Sequence, residues 1–132
     1  MMEINQPAII AEVTALYQRY ETALCENDLE TMDALFWDSP DVIRFGATEN
    51  LYGIEAIRAF RQARGPATLR IQREVKNFKV LAIGTDVAMV TLEFYGGVVG
   101  KPPHNGRQTQ LWHRFPGVGW RIISAHVSWL PT

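Results

Sequence analysis

A chain of 132 residues with 13 Lys and Arg against 14 Asp and Glu carries a net charge of −1, which excludes the basic face that nucleic acid or an anionic membrane surface would need. The length suits one domain spanning residues 1–132, and a hydrophobic share of 47% is enough for one real core. A single cysteine, Cys25, excludes an internal disulfide and points to a cytoplasmic home, while no apolar run reaches the roughly 18 residues of a membrane span and no leader pattern opens the chain.

Asn5 and Pro7 predict a helix start, with a capping side chain and an early proline. Ile9, Val13, Leu16, Tyr20 and Leu24 follow at helical spacing and form its buried stripe. The Tyr20 hydroxyl then needs a partner inside the fold. Asn27 with Glu30 resembles a capping box for a second, shorter helix, whose apolar side is Leu29, Met32, Leu35 and Phe36. The proline of Trp37-Asp38-Ser39-Pro40 ends it.

Asp41 to Gly46 predicts a short strand with Val42 and Arg44 on one face, and Ala47 to Gly53 a loop. A third helix starts at Gly53. Its stripe begins with Ile54 and Ile57 and ends with Arg61 and Arg64. The two arginines either favour a helix C-terminus from the surface or leave the core for an anion-binding cavity.

From Leu69 the period becomes two. Leu69, Ile71 and Val75 share one phase and Phe78 and Val80 the other, so a bulge is expected near Lys76-Asn77. Val87 to Tyr95 is a central strand. Gly96 to Gly106 connects it to a strand over Arg107 to Phe115, and Pro116 to Gly119 turns into the last one. On an unbroken pleat, Trp120, Ile122, Ser124, His126 and Ser128 share a face of that last strand, and if both its faces are covered the imidazole and hydroxyl need partners, either from the protein or from a ligand. Three helices, one short strand and a four-stranded meander give an α+β fold, a curved antiparallel sheet wrapped over the helices around a cone-shaped hollow. Phe94, Trp112 and Trp129 are expected on the outer sheet face, where three large apolar groups suggest a homodimer.

This element order, with Trp120-Arg121-Ile122 leading to His126-Val127-Ser128, resembles the nuclear transport factor 2-like (SnoaL-like) superfamily. Phe36-Trp37-Asp38-Ser39-Pro40, Arg44-Phe45-Gly46, Glu49-Asn50-Leu51-Tyr52-Gly53, Phe60-Arg61 with Arg64, Gly106-Arg107-Gln108-Thr109-Gln110 and Ala125-His126-Val127-Ser128 resemble, more narrowly, the AtzH / HpxZ group. That resemblance implies cyanuric acid or oxalurate catabolism beside amidase-signature hydrolases. It also implies cofactor-free decarboxylation of 1,3-dicarboxyurea to allophanate.

Such a substrate is a small, flat dianion. Arg44, Arg61, Arg64 and Arg107 are the candidate carboxylate clamps, since a guanidinium fork matches a carboxylate with two parallel bonds. Tyr20, Asn50, Tyr52, Gln108, Gln110 and Ser128 are candidates for the urea group, although Arg107 and Gln110 fall on opposite strand faces. Trp37 and Phe60 would exclude water. Loss of carbon dioxide from an N-carboxylate requires a proton on the departing nitrogen, for which His126 is the first candidate and Tyr20 or Tyr52 the next. His104, His113 and His126 lack metal-ligand spacing, so no metal is expected, and the decarboxylation that the resemblance implies needs no electron-sink cofactor. Two other readings stay open. One is a non-catalytic accessory subunit of an amidase in oxalurate breakdown. The other is a small-ligand-binding or isomerase member of the superfamily.

Overall fold

The structure, a computed structural model, describes residues 2–131. Helices α1 (Pro7–Glu26) and α2 (Leu29–Leu35) come first, then strands β1 (Ile43–Phe45) and β2 (Asn50–Tyr52), then α3 (Ile54–Ala63). Four long strands complete the chain: β3 (Ile71–Ile83), β4 (Val87–Val98), β5 (His104–Phe115) and β6 (Gly119–Trp129). They form one curved, unclosed sheet in the order β2-β1-β6-β5-β4-β3. Every pair is antiparallel except β1 with β6. The α+β expectation holds, with one strand more than the sequence suggested, because residues 50–52 pair with β1 instead of forming a loop.

The helices pack on the inner face of the sheet. From α1, Ile9, Val13, Tyr17, Tyr20, Ala23 and Leu24 are buried against Phe36, Ala88, Val90, Trp112 and Ile122. Pro7 occupies the first turn of α1, but Asn5 is not its cap. Its side chain instead accepts the Ala82 N–H at 2.9 Å and fastens the N-terminus to β3. Asn27 closes α1 in the left-handed conformation (φ 59°), and Asp28 caps α2 by accepting from the Thr31 N–H at 3.1 Å.

Two bulges decide which side chains face inward. In β3, Asn77 at φ 51° marks a register shift between Lys76 and Lys79. It puts Ile71 and Val75 on the same packed face as Phe78 and Val80, as the phase slip in the sequence anticipates. In β6, Leu111 pairs with Ser124 and Trp112 with Ile122, leaving Ile123 as an extra residue. A one-residue insertion sends every later side chain to the opposite face. Trp120 and Ile122 are therefore buried, and after them Ala125 and Val127 take the inner positions. His126 is exposed on the outer face. The unbroken alternation expected along β6 is corrected by this bulge.

Phe94 and Trp112 are also corrected: both are buried on the inner face. Trp129 is exposed, at the rim of the hollow, and stacks on His104 at 3.7 Å. The case for a second copy made from these three aromatics therefore loses its footing. The outer face presents Phe45, Tyr52 and His126 instead.

Gly106 on β5 faces Phe94, and a side chain there would run into the Phe94 ring. Gly106→Ala is expected to destabilise the fold by about 1–3 kcal/mol through overpacking. Urea unfolding of the variant against the parent checks this.

Candidate functional site

A cavity of about 820 Å³ opens between α1, the 46–49 turn, the end of α3 with the segment after it, and the inner faces of β3 to β6. Its polar walls come from Tyr20, Arg44, Glu49, Arg64, Arg73 and Gln108, its apolar walls from residues such as Phe60, Ile71, Phe94 and Val127.

Arg44 reaches the cavity because it holds the inward phase of β1, which Val42 just before the strand shares. Its guanidinium lies 5.6 Å from the Phe60 ring centre and pairs with Glu49 at 2.9 Å. Arg64 arrives from the C-terminus of α3, one turn beyond Arg61. The Nε and Nη2 atoms of Arg64 are buried and have no hydrogen-bond partner. Burial first, then the neighbouring Arg44 charge, lowers the guanidinium's pKa, with Arg61 adding a smaller like-charge effect. Tyr20 is 3% exposed and tilted against Tyr17 and Phe36, with ring centres 6.0 and 6.1 Å away.

The floor is a network that sequence reasoning missed. Arg73 on β3 donates to both Glu21 oxygens at 2.8 and 2.7 Å, to Gln108 Oε1 at 2.9 Å and to the Tyr17 hydroxyl at 3.1 Å. The guanidinium rests 4.5 Å from the Phe94 ring centre. Since arginine has no acceptor, the Gln108 oxygen must face it, which leaves the amide N–H2 to donate elsewhere. Its bond to the Tyr17 hydroxyl is long, at 3.5 Å. Burial would raise the Glu21 carboxyl, but hydrogen bonds and charge from Arg73 outweigh it and hold the group below its ordinary range. Burial, with Glu21 beside it, pushes the Cys25 thiol up to about 11, which keeps it protonated near neutral pH. A signal for Arg73 did exist: it lies between Ile71 and Val75 in the inward phase, opposite a Tyr17–Glu21 pair one helical turn apart.

Of the side chains singled out from sequence, the structure gathers Tyr20, Arg44, Arg64, Phe60 and Gln108 around the cavity. Several others lie elsewhere. Arg61 is 3% exposed and packs in the core, on Asp33 at 2.6 Å and over the Phe36 ring, so it ties α3 to α2. Gln110 is inward but below the cavity walls, accepting the Trp112 indole N–H at 3.0 Å. Trp37 stacks on Phe115 at 5.2 Å. Asn50 and Tyr52 are exposed on β2, an edge strand whose outward phase they share. Arg107 donates to Ser128 at 2.9 Å on the outer sheet face, and His126 meets Phe45 edge-on there. The β6 bulge accounts for His126 and Ser128, and strand alternation accounts for Arg107. Among the described residues, no three His, Cys, Asp or Glu side chains gather as metal ligands, and no helix is long and apolar enough to cross a membrane.

Three helices closing an unclosed curved sheet around a cationic hollow define a nuclear transport factor 2-like fold. A nuclear transport factor 2-like protein of unknown function from Pseudomonas putida matches it with a TM-score of 0.82 at 24% identity, over 93% of this chain and 87% of that one. The chain belongs to the AtzH-like family, whose model matches residues 2–132. Two solved structures are similar to it. A protein of unknown function from Pectobacterium atrosepticum is 44% identical, with a TM-score of 0.86 over 97% of this chain and 95% of that one. A cystatin-like fold protein from Burkholderia xenovorans is 43% identical, with a TM-score of 0.88 over 100% and 99%. No curated protein matches this chain.

Glu21→Gln is expected to cost about 3 kcal/mol at neutral pH, because Arg73 would lose its buried countercharge. Glu21 has a depressed folded pKa. Its contribution is therefore present above the unfolded value of about 4.3 and is lost as pH falls through the folded one. The gap between parent and variant should close on acidification, which denaturation midpoints measured from pH 7 down to pH 3 would record.

Proposed function

We propose that this protein is a cofactor-independent decarboxylase of a small N-carboxylated urea, converting 1,3-dicarboxyurea to allophanate. The observation that carries the reading is Arg64. Arg64 lines the cavity, and its Nε–Nη2 edge, the side of a guanidinium that takes a carboxylate with two parallel bonds, is buried and unpartnered. A buried cation without a partner is costly, and an anionic ligand offsets that cost.

In this reading the substrate carboxylate seats on Arg64 and its urea carbonyl accepts from the Gln108 amide. Tyr20 supplies the proton. As the bond between nitrogen and the carboxylate carbon breaks, its electron pair stays on nitrogen, the Tyr20 proton joins it, and carbon dioxide leaves. The phenolate so formed faces the positive charge of Arg64 in the same cavity and regains its proton from water. Phe60, Phe94 and Val127 keep the surroundings of low polarity, which strengthens each charge interaction. His126 has no part in this chemistry, since it lies outside the cavity.

The test is carbon dioxide release by the purified protein without added metal, from 1,3-dicarboxyurea generated in situ, read as acceleration over buffer. Tyr20→Phe should lower kcat by about 10²–10⁴. Arg64→Ala should lower kcat/KM by about 100-fold, as expected when a bidentate charged contact is lost. His126→Ala should keep the parent rate. No acceleration by the parent protein would overturn the reading in favour of a non-catalytic partner for an amidase-signature hydrolase.

A further inference from the structure

Glu49 is a cavity carboxylate that the decarboxylation chemistry leaves unused, and its placement is unusually constrained. It ends the turn between β1 and β2, closed by the Gly46 N–H donating to the Glu49 carbonyl at 2.9 Å. Its side chain folds back over Gly46, where any side chain would run into the carboxylate. One carboxylate oxygen takes the Arg44 Nη1 hydrogen at 2.9 Å. The other takes the Thr48 hydroxyl and N–H at 2.6 and 3.2 Å. A glycine-cut seat, a guanidinium and a hydroxyl together make a carboxylate-binding site, and in the free protein the chain fills it with its own carboxylate.

Charge balance decides how many negative charges a ligand can bring in. The ionic groups packed inside the cavity are Arg44, Arg64 and Arg73 against Glu49 and Glu21, a net charge of +1, while Arg70 and Lys101 line it from exposed positions. One ligand carboxylate neutralises that. A second would leave an uncompensated negative charge at low polarity, which is expensive. If Glu49 moves out to solvent, the net charge becomes +2 and matches a dianion. The move breaks the bonds to Arg44 and Thr48 but disturbs little of the fold. Glu49 sits on a turn between two three-residue strands, β2 is the edge of the sheet, and Ala47 and Thr48 are exposed. Glu21 has no such freedom, since its carboxylate is gripped by Arg73 through two parallel bonds.

We propose that Arg44 is a second carboxylate subsite, occupied in the free protein by Glu49, and that a ligand with two carboxylates binds by taking the place of Glu49. This rests on the reading of Arg64 as the first carboxylate seat. Glu49 thereby sets specificity: a monocarboxylate enters without moving it, and a dicarboxylate must displace it.

Calorimetric binding of malonate and of acetate to the full chain separates the possibilities. Glu49→Gln keeps the shape and removes the competing charge, so malonate affinity should rise by about tenfold while acetate changes by less than about twofold. Thr48→Val, which loosens the seat and leaves the charge, should give a smaller rise for malonate alone. Thermal melts confirm that both variants are folded. If Glu49→Gln weakens malonate binding, Glu49 is a positioning residue for Arg44 and the exchange is overturned. If malonate and acetate respond equally, Arg44 is not a second subsite. Arg64→Ala tests the underlying reading separately, because it should weaken both ligands. Unchanged binding by that variant would remove the first seat whatever Glu49 does.

Discussion

The ion pair between Arg73 and Glu21 is the contact on which the cavity depends. It joins residues 52 positions apart, one on the longest helix and one on the edge strand β3, and it sets the distance between them. Both side chains are largely buried, with the arginine 4% exposed. Such a pair stabilises only when its remaining hydrogen-bonding capacity is met. Here Tyr17, Gln108 and the face of Phe94 meet it. Phe94 can lie flat beneath the guanidinium because Gly106 leaves the space. The chain of dependence thus runs from a glycine on β5, through a ring on β4, to a cation on β3 and a carboxylate on α1. Its product is a Gln108 amide whose orientation is fixed before any ligand arrives.

How much of this is legible in the sequence depends on where the period of the chain changes. The α1 stripe, the α3 stripe running from isoleucine into arginine, and the phase slip in β3 are all periodic signals, and each locates its element. Arg64 and Tyr20 are legible because they lie at helical spacing from apolar residues. The β6 bulge leaves no such mark. Trp120 and Ile122 are apolar in one phase and Ala125 and Val127 in the other, but Ile123 between them is apolar too, so the inserted residue is silent in the pattern. From sequence, His126 therefore reads as an inward imidazole, and only the register with β5 turns it outward. Arg73 is hidden for the opposite reason. Its inward phase is visible, but a charge at such a position acquires meaning only from its partner on α1, and pairing across 52 residues is not periodic information.

The two arginines at the end of α3 are treated differently, and the difference is chemical. Arg61 and Arg64 leave the same helix one turn apart. Arg61 has Asp33 and the face of Phe36, so it holds helices together. Arg64 has neither an ion pair nor a hydrogen bond on its Nε–Nη2 edge, and Arg44 beside it makes its charge harder to keep. A fold selected for stability alone would pair that group or expose it. Natural proteins tolerate such unfavourable groups where function requires them. Glu49 sharpens the contrast, for the fold places a carboxylate within reach of one cavity arginine and withholds it from the other. The short turn that supplies this carboxylate has exposed residues at Ala47 and Thr48. In the proposed exchange the unpaired Arg64 at the helix end and the Glu49-filled Arg44 beside the turn are complementary: the first would select for negative charge, and the second would let the count of charges rise from one to two.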